Sequence, residues 1–300
     1  MKALRRIGSV IRLVNHPLNR RKRFSALVRW LSWKVAAPFL PGAAVFRFVD
    51  DSLLMVEPGL DAATCNLYTG LYEFPEMSFL LHVLRPNDVF VDVGANIGSY
   101  TVLAASVRGA RSIAIEPVPT TFRHLLRNVG LNAIHDRVSL HNIGVGSTAR
   151  RLKFTSARDC VNHVVADDEA TASDIIEVDV RTLDDVVGEA MPVLIKIDVE
   201  GYEAEVIDGA ASTLAKDSLL AVIMEINGSL LRYRRDEREL HESMLRYGFS
   251  ACTYAPFERM LEPLSGRNVG GDNTLYVRDV ERVIERVRSS PRFRVMGYEL

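Results

Sequence analysis

The stretch VFVDVGANIGSYTVLAASV, residues 89–107, decides the fold. Its first five residues are an apolar, β-branched run that reads as a buried strand, 89–93, and 99–107 carries the spacing of a helix. Between them stand Asp92, Gly94, Asn96 and Gly98. The first glycine lets the chain turn at the carboxyl end of the strand, and the second permits close approach where the helix begins. This geometry is expected to present backbone donors to a ligand. The G-x-x-x-G spacing differs from the dinucleotide fingerprint G-x-G-x-x-G, and no Gly-Lys-Ser or Gly-Lys-Thr follows to make a P-loop.

Charge narrows the ligand. A carboxylate at Asp92 repels a pyrophosphate and favours a group bearing an ammonium or sulfonium, such as the amino-acid half of S-adenosylmethionine. Working outward, 112–115 is the next strand, and Glu116 follows it in AIEP, placed to accept hydrogen bonds from both hydroxyls of a ribose. The alternation continues with a helix at 121–128 and strands at 138–143, 193–197, 220–226, 250–254 and 273–277. Further helices are expected around Leu183, at 202–214 and at 237–247. Short apolar strands separated by helices imply an α/β fold with a mostly parallel sheet covered on both faces, and the late strands supply an antiparallel edge. Asn142 and Gly144 follow the third strand, where they either face an adenine ring or form an ordinary loop. Upstream, 72–84 reads as a helix, and AVFRFVDDSLLMVEP, residues 44–58, as a hairpin turning at Asp50 and Asp51.

A second charged motif, VLIKIDVEGYEAEVIDGA, spans residues 193–210. Lys196 and Asp198 share a strand face, and Glu200 shares it until the chain turns at Gly201. Charges at the tail of an apolar strand are costly to bury without partners, so they form either a set bordering a pocket or a structural ion pair. VIMEIN, 222–227, brings Glu225 and Asn227 to the same sheet edge, where they bind acceptor hydroxyls or else cap a helix and set a turn. His163 lies in a polar section, 155–174, long enough to cover a site; it serves as a base if that section folds inward and is otherwise a surface histidine. Asp198, Glu225 and Asn227 offer oxygens to a hard cation, but no compact ligand motif supports one, and no metal is expected. His82, His124, His135 and His141 are scattered. Cys65, Cys160 and Cys252 are too widely spaced for a disulfide framework or a zinc cluster, which favours a reducing compartment.

The chain has 300 residues, 48% hydrophobic and 25% charged, enough for one main domain with a smaller appendage. Its net charge of −1 conceals an asymmetry: residues 1–49 hold eleven Lys or Arg and no Asp or Glu. This basic amino end reads as one or two short helices stopped by Pro41. It suits an anionic membrane face, a partner, or a cover over the main domain. No run of apolar residues is long enough to span a bilayer, and Arg5, Arg6 and Arg12 interrupt any secretory core. Cytoplasmic residence is expected, with peripheral membrane contact through the basic end. Nucleic acid is disfavoured, because the body is acidic and has no basic-aromatic surface.

FVDVGANIGSYT, AIEPVPTTFRHLLRN, LIKIDVEGYEAEVIDGA and NTLYV, in that order, resemble the motifs of the FkbM family of S-adenosylmethionine-dependent methyltransferases. The resemblance covers roughly 68–277. It implies a class I methyltransferase, Rossmann-like sheet, usually of seven strands with the last pair reversed. By resemblance, Asp92, Gly94, Asn96 and Gly98 form the cofactor loop, Glu116 holds the ribose, and Tyr72 and Glu73 of GLYEFPE lie over the cofactor or the pocket entrance. It also implies O-methylation of a sugar, glycolipid or related hydroxylated acceptor. From the charged motif itself, Asp198 is expected as the base, with Lys196 orienting it and Glu200 sharing that task or holding the loop. The organisation expected is a basic extension with helices and hairpin at 1–67, the methyltransferase domain at 68–280 and a tail at 281–300, in a monomer or homo-oligomer. The alternatives are an inactive binding module of the same fold and a nicotinamide-dependent oxidoreductase.

Overall fold

The computed structural model describes residues 10–156, 161–166 and 174–300. Its centre is an eight-stranded sheet. The strands β3 (Val89–Val93), β4 (Arg111–Ile115), β5 (Val138–His141), β9 (Pro192–Ile197) and β10 (Ala221–Glu225) pair in parallel. Every residue of β9 is buried, as expected of a strand covered on both faces. The expected reversed edge is present: β13 (Asn273–Val277) runs antiparallel between β10 and β11 (Ser250–Ala255). The edge is also one strand longer than the seven-strand pattern, because β12 (Met260–Pro263) folds back on β11. The order is β12-β11-β13-β10-β9-β3-β4-β5.

Helices α3 (Phe74–Val83), α4 (Ser99–Val102), α5 (Pro119–Leu131), α6 (Leu183–Val187), α7 (Glu203–Asp208), α8 (Ala211–Leu214), α9 (Glu237–Arg246) and α10 (Val280–Arg288) cover the two faces. The long helix read at 99–107 is α4 continued by a wider π-helical turn at Leu103–Val107. A second sheet, not anticipated from sequence, pairs β6 (Gly144–Val145) and β7 (Arg150–Thr155) with β8 (Ile175–Arg181). Its alternation is legible in retrospect, since Val178 and Val180 are buried while Glu177 and Asp179 are exposed. Of the polar section 155–174, residues 157–160, with Cys160, and 167–173 lie outside the described residues, and so does the reading of a site-covering loop there.

Both flanks join the main core. The hairpin of β1 (Ala44–Arg47) and β2 (Leu53–Val56) turns at Asp50, as expected, with φ +50°. Asn128 Oδ1 accepts from Met55 N at 2.9 Å, and Asn132 Oδ1 accepts from Leu53 N at 2.8 Å, which blunts the free edge of β2 against α5. Leu18, Val49 and Leu54 from the amino end pack in one core cluster with Phe293, Val295 and Leu300 from the carboxyl end. In the amino-terminal segment, α1 (Arg23–Ala36) and α2 (Asp61–Thr69) are joined by polar ties. Arg29 Nη2 donates to Tyr68 O at 2.7 Å and to Asn19 Oδ1 at 2.9 Å. Helix α1 ends at Ala36 and a 3₁₀ turn carries helical backbone on through Ala37–Phe39; Leu40, the residue before Pro41, is extended at φ −72° and ψ 130°, so the helical run ends ahead of Pro41 as expected.

Candidate active site

The strand order reverses between β3 and β9, and open α/β sheets bind ligands at the carboxyl ends of strands flanking such a reversal. A cleft of about 1680 Å³ opens there. One small-molecule site occupies roughly 300–1,000 Å³, so this space accommodates a cofactor and an acceptor together. Register places its charges: Asp92 on β3 is the direct partner of Lys196 on β9, and Glu225 on β10 is the partner of Asn273 on β13.

The loop after β3 is closed by its own hydrogen bonds. Gly94 N and Ala95 N both donate to Ile115 O, at 3.0 and 2.9 Å, and Gly98 N donates to Ala95 O at 2.8 Å. Asn96 N donates to Glu116 Oε2 at 3.0 Å, and Ile97 N donates to Asn96 Oδ1 at 2.7 Å. All five N–H groups of 94–98 are therefore engaged, which corrects the expectation that the loop offers backbone donors to a ligand. The acceptor carbonyl belongs to the neighbouring strand, so this closure is a product of sheet pairing. Gly94, at φ +79°, is required by contact: a Cβ there would lie 1.8 Å from Asp198 O. At Gly98, φ +88°, the close neighbour is the Leu125 side chain, at 2.5 Å from an added Cβ.

Two buried acids face this loop. Asp92 is 1% exposed; its Oδ2 accepts from Thr101 Oγ1 at 2.6 Å, while its buried Oδ1 has no hydrogen-bond partner. Burial raises its pKa to about 6 against the pull of Lys196 and Thr101. Glu116 accepts from Val118 N at 2.9 Å as well as from Asn96 N, and burial raises it to about 7. Each of its oxygens keeps a second lone pair for a ligand hydroxyl. Both residues line the cleft.

Across the cleft, Lys196 Nζ lies 2.6 Å from Asp198 Oδ2 and 4.8 Å from the centre of the Tyr100 ring. Lys196 is buried; burial opposes its charge, but Asp198, Glu73 and Asp92 outweigh that and hold it firmly protonated. Carboxylate oxygens of Asp198, Glu200 and Glu225 come within 4.8 Å of one another. Burial first, then repulsion from Asp198 and Glu203, raises Glu200 to about 7. The same two causes push Glu225 far above the ordinary carboxylate range, so it holds a proton at neutral pH. These oxygens are of the kind a hard divalent cation takes. Here the Lys196 ammonium and the proton retained on Glu225 already offset part of their charge. Glu200 sits in left-handed backbone, φ +56°, and its carbonyl accepts from Arg232 Nη1 at 2.7 Å. Glu203 Oε1 accepts from Val199 N and Gly201 N, both at 3.1 Å, and so holds the turn on which Glu200 stands.

Tyr72 and Glu73 line the cleft, and Glu73 Oε1 accepts from Asn273 Nδ2 at 2.6 Å. Two expected site residues are used elsewhere. Asn142 donates to Glu116 O at 2.8 Å and Pro117 O at 3.0 Å, outside the lining, where Ile143, Gly144 and Val145 stand instead. Asn227 Oδ1 accepts from Ser229 N at 3.0 Å and sets a turn outside the lining. His163 is buried rather than on the surface, with Nδ1 at 2.8 Å from Val161 O, and does not line the cleft. Sequence reasoning missed Tyr100, Glu76 and the amino-terminal wall of Ile11, Arg12, Trp30 and Lys34. Burial and Glu73 raise Glu76 to about 8. An acid at the start of a strongly apolar helix was its signal; the wall left none, because it is a long-range contact.

Residues 92–254 match the family model described as the methyltransferase FkbM domain. Over 61 residues, 20% of this chain and 22% of the relative, the chain is 39% identical to the tRNA(Phe) (4-demethylwyosine(37)-C(7)) aminocarboxypropyltransferase of Pyrococcus horikoshii. It is 29% identical over 153 residues to the hexuronic acid methyltransferase AglP of Haloferax volcanii, covering 50% of this chain and 61% of that one. It is 28% identical over 192 residues to the 31-O-demethyl-FK506 methyltransferase FkbM of Streptomyces tacrolimicus, covering 52% and 74%. The chain thus spans less than two thirds of the first two of these relatives. The family match begins at Asp92 and encloses the glycine loop, Glu116, the Lys196–Asp198 pair and Glu225, and on that match the chain belongs to the FkbM methyltransferase domain family.

Proposed function

We propose that the protein transfers a methyl group from S-adenosylmethionine to a hydroxyl of a saccharide, glycolipid or similar polyhydroxylated acceptor. The observation that carries this reading is the closed loop at 94–98. With all five N–H groups consumed and Asp92 beneath it, the loop has nothing to offer a pyrophosphate, whereas its acids suit a cation. The orphaned, buried Oδ1 of Asp92 and the two spare lone pairs of Glu116 fit the ammonium and ribose of that cofactor. When bound, S-adenosylmethionine supplies an electrophilic methyl on a positively charged sulfur.

The chain's own residues then have three tasks. Asp92 and Glu116 fix one partner, and Glu73, held by Asn273, borders the same space. Asp198, anchored by Lys196, accepts the hydrogen bond of the acceptor hydroxyl, so that the oxygen is aligned before reaction. The proton released on transfer enters the cluster of Asp198, Glu200 and Glu225, where Glu200, at about 7, is matched to proton transfer near neutral pH. Several hydrogen-bonding carboxyls in one cleft suit an acceptor with several hydroxyls, and the hexuronic acid methyltransferase among the relatives supports that acceptor class.

Calorimetric titration with S-adenosylhomocysteine, with NAD as matched control, tests the assignment. Saturable binding of S-adenosylhomocysteine alone is expected, followed by methyl transfer in a screen of glycans and glycolipids. Binding of NAD alone overturns it, and cofactor binding without transfer to any acceptor favours the inactive binding module.

A further inference from the structure

Helix α1 has two apolar faces, and only one is used. Ala26 is fully buried, and Trp33 packs against the main core. The opposite side presents Phe24, Leu27, Val28, Leu31 and Val35, at the i, i+3, i+4 and i+7 spacing that makes one stripe. These side chains are exposed, Phe24 at 79% and Val35 at 59%, and Phe39 extends the patch at 84%. Contiguous exposed apolar surface of this kind marks a binding face.

The charges around the stripe identify what it binds. Residues 10–49 contain no Asp or Glu, while Arg12, Arg20, Arg21, Lys22, Arg23 and Lys34 are all exposed. On a helical projection, Arg23 and Lys34 flank one edge of the stripe and Ser25 and Ser32 the other. An apolar stripe bordered only by cations and small hydroxyls is complementary to a bilayer surface, with acyl chains beneath and anionic headgroups above. No described helix is long and apolar enough to cross a membrane, so contact of this kind is peripheral.

We propose that the outer face of α1 docks the protein on an anionic lipid surface. Trp30 and Lys34 of the same helix line the cleft, so docking sets the cleft wall within about one helix diameter, roughly 10–12 Å, of the headgroups. A lipid-linked acceptor then reaches the site without leaving the membrane. The surface itself is defined without reference to the chemistry of the cleft, and its test uses no methyl donor.

The full chain is mixed with vesicles of phosphatidylglycerol and phosphatidylcholine in equal parts, or of phosphatidylcholine alone, and sedimented. The expected result is binding to the anionic vesicles only, weakened at about 0.5 M salt, where the Debye length falls below about 8 Å. The Leu27→Glu/Leu31→Glu variant, altered only at exposed positions, should lose at least about tenfold in binding with an unchanged urea midpoint. Removing two cations, as Arg21→Ser/Lys22→Ser, should also cost about tenfold or more. Three results overturn the proposal: no binding to anionic vesicles, equal binding to both compositions, or full binding by the Leu27→Glu/Leu31→Glu variant. Dimerisation that this variant abolishes, in a chain that ignores vesicles, would assign the stripe to a second copy instead.

Discussion

Replacing Gly94 with alanine puts a methyl group 1.8 Å from the carbonyl oxygen of Asp198 and 2.9 Å from its carbon. Two costs combine. At φ +79° an L-residue pays about 1–2 kcal/mol for left-handed backbone. The overlap is with backbone held by a hydrogen bond from Asp198 N to Val93 O at 3.0 Å, so relief requires the two loops to part. Overpacking of that kind adds about 1–3 kcal/mol, for a total of about 2–5 kcal/mol. Gly59→Ala isolates the first cost, since Gly59 has φ +95° with nothing within 4 Å of an added Cβ. Urea unfolding of both variants, with calorimetric titration of S-adenosylhomocysteine, reads the difference. Gly59→Ala should lose about 1–2 kcal/mol and bind normally. Gly94→Ala should lose more and bind at least about tenfold more weakly, because Asp92 and Asp198 are then misplaced. Equal destabilisation of the two, with normal binding by Gly94→Ala, would refute the contact between the loops as the reason for this glycine.

Asp92→Asn and Glu116→Gln should each weaken S-adenosylhomocysteine binding by about tenfold, and unchanged affinity in calorimetry would remove them from the cofactor site. Asp198→Asn should lower turnover by about 10²-fold or more with cofactor affinity nearly intact; a normal kcat would move the proton transfer elsewhere. Asp92 at about 6 and Glu116, Glu200 and Glu203 at about 7 lie above their ordinary values. From about pH 4.5 to 7 these acids bind more protons in the folded chain than in the unfolded one; they outnumber the buried His16 and His82, lowered to about 4 and 3, which act in the opposite sense, so stability of the ligand-free protein falls as pH rises through that window. Urea midpoints at intervals across it should decline, and a flat or rising profile would contradict the burial of these acids. Extraction of divalent ions should leave methyl transfer unchanged, since Lys196 and the proton retained on Glu225 offset charge in the cluster of Asp198, Glu200 and Glu225; loss restored by magnesium would reassign that trio to a metal.

The glycine loop, the alternation of strands and helices and the charged tail of β9 were legible because each is local. Strand periodicity reports burial, a glycine next to an acid reports a turn, and Lys196 and Asp198 share a face two residues apart. Asn142 and Asn227 take the loop and turn roles that stood open beside a site role: amides in loops compete for nearby backbone groups, and here the carbonyls of Glu116 and Pro117 and the N–H of Ser229 won. The strand β12 and the two-residue β6 are too short for a clear periodic signal, whereas the alternation of β8 is legible in the sequence.

By itself the sequence determined the α/β class, the acidic glycine loop and the identity of the charged groups at the sheet end, because periodicity and turn chemistry act over a few residues. Only the tertiary structure decided that Asp92 and Lys196 are register partners, that Ile115 consumes the donors of the loop, and that Glu225 joins Asp198 and Glu200. It also decided that α1 walls the cleft with one edge and leaves an apolar face outside. Each of these depends on which strands become neighbours and in what register, and that is set by the packing of the whole core rather than by any one segment's pattern.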